Sequence, residues 1–124
     1  MAFDPNQFLT RDEALLVDAA LLTSQAKFTT RIALYSLRTL RQIASDAGVT
    51  IDQITGDQIL SWIQQDPTVQ ENAGMDAEFV EFFARLVMSS LKPLREIATA
   101  TETAIADLTV RQVITWFEQQ SLPT

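Results

Sequence analysis

Residues 28 to 66, FTTRIALYSLRTLRQIASDAGVTIDQITGDQILSWIQQD, return without a gap as residues 82 to 120, FFARLVMSSLKPLREIATATETAIADLTVRQVITWFEQQ. The offset is 54 positions, and thirteen of the 39 aligned pairs are identical, among them Arg31/Arg85, Leu40/Leu94, Arg41/Arg95, Ile43/Ile97, Thr55/Thr109 and Trp62/Trp116. A repeat of this length is one structural unit used twice, so it sets the architecture before any local propensity is weighed. Each copy reads as a long helix, a short connection and a second helix. The fold class is therefore all-α, a helical bundle of two tandem helix–loop–helix units with an extra N-terminal helix. The chain is read as a single domain over residues 1–124, with residues 67–75, which hold Pro67 and Gly74, as the linker between copies.

Helix boundaries follow from capping chemistry. Thr10 with Glu13, Thr55 with Gln58 and Thr109 with Gln112 are spaced for capping boxes, in which the Thr hydroxyl and the side chain three residues on satisfy two orphan backbone donors. Gly48 is placed to close a helix in the left-handed conformation. From Arg11 to Ala47 there is neither Gly nor Pro. This stretch reads as one very long helix or two, with a bend near the β-branched pair Thr29-Thr30 preferred. Pro93 stands where the first copy has Thr39, and a kink or a restart is expected there. Ile59, Leu60, Trp62 and Ile63 in one copy, and Val113, Ile114, Trp116 and Phe117 in the other, have the spacing of a buried face; both Trp rings are expected in the core. Phe79, Phe82, Phe83 and Leu86 are expected to share another buried face. The start, MAFDPNQF, reads as a turn, and the tail SLPT is expected to fray.

Composition narrows the chemistry. Sixteen Asp and Glu against nine Lys and Arg give a net charge of −7, which disfavours a general nucleic-acid binder. The chain has no Cys and no His, which removes disulfides, thiolate chemistry, the commonest general base and the commonest transition-metal ligand. Of the carboxylate pairs, Asp12/Glu13 and Glu78/Glu81, only the second has one-face spacing, and no base accompanies Tyr35 or any Ser or Thr. No catalytic, cofactor-binding or metal site is expected. The longest apolar run, Ala14 to Leu22, is too short to span a bilayer and is interrupted by Asp18, and a cytoplasmic location is expected.

Two patterns point to partners. On a helix at 100° per residue, Lys27, Arg31, Arg38 and Arg41 fall within about 80° of one another, opposite an apolar face. The second copy keeps the stripe as Arg85, Lys92 and Arg95, with Glu81 in place of Lys27. Such a stripe is either a solvated helix face or a site for an acidic partner. The second pattern is the N-terminal helix, apolar in nearly every direction between Ala14 and Leu22, which must be covered all round. Leu15 and Leu22, seven residues apart, are expected to share a contact with a second subunit in a homodimer. The second helix of each copy superficially suggests a helix-turn-helix reader, but it carries too little positive charge for a phosphate-lined groove.

The function read from these residues is a non-enzymatic protein–protein interaction module: an adaptor, an assembly factor or a regulatory subunit. The alternative is a small anion- or nucleic-acid-binding helical protein that uses the duplicated basic stripes.

Overall fold

The computed structural model describes residues 9–67 and 77–121. Among these the chain is all-helical: α1 (Arg11–Ala19), α2 (Ser24–Ala47), α3 (Gly56–Gln65), α4 (Ala77–Thr101) and α5 (Val110–Ser121), with 3₁₀ turns at Ile51–Gln53 and Ile105–Asp107. The all-α reading holds. The turn at Asp4-Pro5-Asn6, most of the linker and the SLPT tail beyond Ser121 lie outside the described residues.

The three capping boxes form as their spacing requires. Thr10 N donates to Glu13 Oε1 at 2.8 Å, and Glu13 N donates back to Thr10 Oγ1 at 3.2 Å. Thr55 with Gln58, and Thr109 with Gln112, repeat the exchange. Each box satisfies donors that the first helical turn leaves without partners.

The break before α2 falls earlier than the Thr29-Thr30 bend that the sequence suggests. Ala20 is extended, and Thr23 caps a new helix by accepting from Ala26 N at 3.1 Å. Glu118 of α5 accepts from Leu21 N at 3.0 Å, which holds the break against the rest of the fold. Thr29 and Thr30 sit within α2 because their hydroxyls donate to carbonyls four residues back, Gln25 O and Ala26 O. Pro93 also lies within a continuous helix, α4, where a kink or restart was expected. It is half-buried where α4 faces α2, and it lines a small void with Phe28 and Ile32 of α2.

The core lies between α2 and α4. Leu37, Leu40 and Ile43 of α2 are buried with Phe83, Val87, Leu94 and Ile97 of α4. The Phe83 ring stacks on Phe79 with centroids 6.1 Å apart and meets Tyr35 edge-on at 5.1 Å. The short helices then cross over. α3 lies chiefly on α4, and α5 lies more on α2 than on α4. The second helix of each segment thus packs mainly on the long helix of the other segment. Ile59 and Ile63 of α3, and Val113 and Phe117 of α5, are the buried anchors of that exchange.

The helix covered on every side is α2, not α1. Ile32 to Leu37 are six consecutive buried residues, more than one and a half turns. α1 lies against α2 and α5, with Val17 fully buried, while Leu15 and Leu21 remain exposed. α1 ends at Ala19, so Leu15 and Leu22 do not share one helix; Leu22 packs partly against the core. The spacing that put them in one contact therefore does not apply. Phe82 also departs from expectation: it is 51% exposed, whereas Phe83 is buried. Phe82 sits at the margin of the α4 apolar stripe, about 60° from Phe79.

Both long helices close with the same backbone device on different residues. Gly48 has φ +67° and Val49 N bonds Ala44 O at 3.0 Å; 54 positions on, Glu102 has φ +53° and Thr103 N bonds Ala98 O at 3.0 Å. The left-handed region suits Gly and strains a residue with a Cβ. Glu102→Gly should therefore stabilise the fold by about 0.5–1 kcal/mol, and Gly48→Ala should destabilise it by about 1 kcal/mol. Denaturant titration reads both, and a Glu102→Gly variant less stable than the parent contradicts the strain at this position.

Candidate functional site: the two basic stripes and the grooves beside them

The seven cationic residues singled out by the sequence divide sharply. In the first segment they engage neighbouring elements, although Arg38 keeps its side chain partly in solvent. Arg31 pairs with Asp18 at 2.6 Å, Lys27 donates to Asp18 O at 3.0 Å, and Arg38 pairs with Glu13. All three contacts go to α1, so the stripe binds this chain's own N-terminal helix. Glu13 serves twice, closing its capping box and receiving Arg38. Burial pulls the Arg38 guanidinium below its ordinary range, partly offset by Asp66, though it remains charged at any pH compatible with folding. Asp66, at the end of α3, accepts a 2.6 Å hydrogen bond from the buried Tyr35 hydroxyl. Burial, reinforced by Asp66, pushes the Tyr35 phenol upward, so it stays a donor.

Arg41 and Arg95 reach across to the 3₁₀ turn of the opposite segment. Arg41 donates from Nε to Ala106 O at 2.7 Å and from its terminal nitrogen to Leu108 O. Burial lowers the Arg41 pKa, and the nearby Asp107 carboxylate works against that shift. Arg95 pairs with Asp52 at 3.1 Å. Ala106 and Asp52 are themselves 54 positions apart, so the two arginines perform reciprocal tasks: each ties its long helix to the turn of the other segment.

Arg85 and Lys92 are exposed on the outer face of α4. Phe82 and Met88 lie on the same face, 51% and 45% exposed. This face borders α3, where the Met88 methyl would stand 3.2 Å from a Cβ placed on Gly56. Two large apolar side chains thus stand beside two cations on the exposed side of α4. Phe82 and Met88 were not singled out as surface residues by sequence reasoning. The signal lay in the repeat: Met88 stands where the first segment has Leu34, and Phe82 where it has Phe28.

The two Trp residues are half-buried, not in the core. Each forms the wall of an open cleft where a long helix ends and a short one begins. The first, about 400 Å³, is lined by Asp46, Asp57, Ser61, Trp62 and Gln65 among others. The second, about 330 Å³, is lined at the matching positions by Ala100, Arg111, Thr115, Trp116 and Gln119. The clefts share lining positions and differ in charge. Trp116 also meets Phe117 edge-on at 5.1 Å, which anchors one side of its ring to the core.

No group of His, Cys, Asp and Glu able to hold a metal ion occurs among the described residues, and none of their helices is long and apolar enough to cross a membrane. By class this is a small all-helical chain with open clefts at its helix junctions. The chain belongs to the family of NDH complex assembly factor CRR9, whose family model matches residues 9–123. No curated protein matches it in sequence, and no solved structure matches it.

The reciprocal arginines separate by environment. Arg41→Ala should cost about 2–3 kcal/mol, because it leaves two carbonyls of a packed turn without a charged donor. Arg95→Ala should cost less than about 1 kcal/mol, since Arg95 and Asp52 are 53% and 67% exposed and screened by water. Equal losses in a denaturant titration would show that the two ties are equivalent and that burial does not set their strength.

Proposed function

We propose that this chain is a non-enzymatic factor in assembly of the NDH complex, acting by holding a protein partner on the outer face of α4 while that partner awaits incorporation. The family match over residues 9–123 is the observation that carries this reading. The surface described above supports it. Phe82 and Met88 supply apolar area, and Arg85 and Lys92 flank it with charge that selects an acidic partner. The net charge of −7 fits work in an aqueous, cytoplasmic setting. Self-association remains part of the reading through the exposed Leu15, Leu16 and Leu21, and light scattering of the purified chain reads it directly.

Deleting the gene in the native host tests the assembly role. The amount of fully assembled NDH complex on a native gel should fall, with subcomplexes accumulating, while transcripts of its subunits stay unchanged. A full complement of assembled complex in the deletion strain would remove the proposal.

A further inference from the structure

The two segments create two equivalent grooves, and among the described residues an added helix covers one of them. α5 on α2 makes the first groove; α3 on α4, with every element shifted by 54 positions, makes the second. α1 lies over the first. On the two helices that α1 contacts, Leu34 is 2% exposed and Ile114 is buried. At the matching positions of the second groove, Met88 is 45% exposed and Leu60 is half-buried. Phe28 packs partly against the core, whereas its counterpart Phe82 stands out from the surface.

We propose that the groove between α3 and α4 receives an acidic amphipathic helix of a partner protein, seated as α1 is seated on α2. This rests on the reading of the chain as an assembly factor only in taking the occupant to be a protein. The chain itself contains the template. α1 brings Glu13 to Arg38 and Asp18 to Arg31, with the buried Val17 between them in sequence. The earlier acid meets the later arginine, so α1 runs antiparallel to α2. In the second groove Lys92 replaces Arg38, and Arg85 replaces Arg31. The occupant therefore runs antiparallel to α4, with its first carboxylate on Lys92, a second about five residues (one and a half turns) on at Arg85, and an aliphatic side chain between them on Met88.

One difference sharpens the specificity. Lys27 donates to the backbone at the end of α1, and Glu81 stands in its place in the second segment. A glutamate cannot donate there. It selects instead a cation at the C-terminal end of the incoming helix, where a cation also complements the helix dipole. A second copy of this chain fits poorly, because its α1 carboxylates already pair with its own Arg31 and Arg38.

The test uses the full chain, isotope-labelled, and a synthetic peptide of residues 9 to 20 with a lysine added at its C-terminus. Amide shifts should cluster at Leu60, Phe82, Arg85, Met88 and Lys92. Affinity should fall at least about tenfold on combining Arg85→Glu with Lys92→Glu, and again in about 0.3 M salt. Both side chains are exposed, so the thermal midpoint should not move, and the conservative pair Arg85→Lys with Lys92→Arg should keep binding. Shifts confined to the α1–α2–α5 groove or to residues 68–76 overturn the proposal. So do equal binding by the charge-reversed chain and a dimer of the free chain built on this groove. In the host, a charge-reversed chain that restores the NDH complex in the deletion strain overturns the groove's role and leaves the assembly reading standing. A deletion with no effect on the complex removes that reading and leaves the groove to the peptide experiment.

Discussion

The structure depends on the exchange of short helices between the two long ones. α3 buries Ile59 and Ile63 mainly on α4, and α5 buries Val113 and Phe117 largely on α2. Each segment alone would leave the apolar face of its long helix and much of its short helix in water. Burial of each large aliphatic or aromatic side chain is worth about 1.5–3 kcal/mol, so the face-to-face contacts of the exchange outweigh any single polar tie in the molecule. The arginine ties from Arg41 and Arg95 to the opposite turns fix the register of that exchange more than they drive it.

The exchange also explains why one chain presents two unlike surfaces. With each short helix lying on the other segment's long helix, two matching grooves are created. A single additional helix, α1, covers one of them. The cations of the first segment are then absorbed by α1 and by a neighbouring turn, while Arg85 and Lys92 of the second remain exposed beside Met88 and Phe82. Duplication supplied two copies of one groove geometry. The N-terminal helix turned one copy into structure.

Much of the fold was legible in the sequence because it rests on local chemistry. Three capping boxes and the Gly48 cap were set by residue types at fixed spacing, and each forms. The break before α2 was misplaced because Thr23 carries its cap without a Glu or Gln three residues later, and because Thr29 and Thr30 neutralise their helix penalty through hydroxyl bonds to the preceding turn. α4 continues through Pro93, where the local rule for an internal proline pointed to a kink or restart. The surface was less legible. Helical spacing marked the stripe from Lys27 to Arg41 as outward, yet whether a face meets water or another helix is decided by tertiary placement. Trp62 and Trp116 were read as core for the same reason: their spacing is that of a buried face, and only the open clefts at the helix junctions show that one side of each ring is free of the core.

The reciprocal packing has a direct physical signature. Residues 9–67 and residues 77–121, produced as separate peptides, should each be largely unfolded by circular dichroism, because each lacks the long helix on which its short helix mainly lies. Mixed in equal amounts they should recover helicity and melt in one cooperative transition at a concentration-dependent temperature. A 9–67 fragment that folds alone, with its own cooperative melt unchanged by the second fragment, would contradict the exchange and with it the existence of two equivalent grooves.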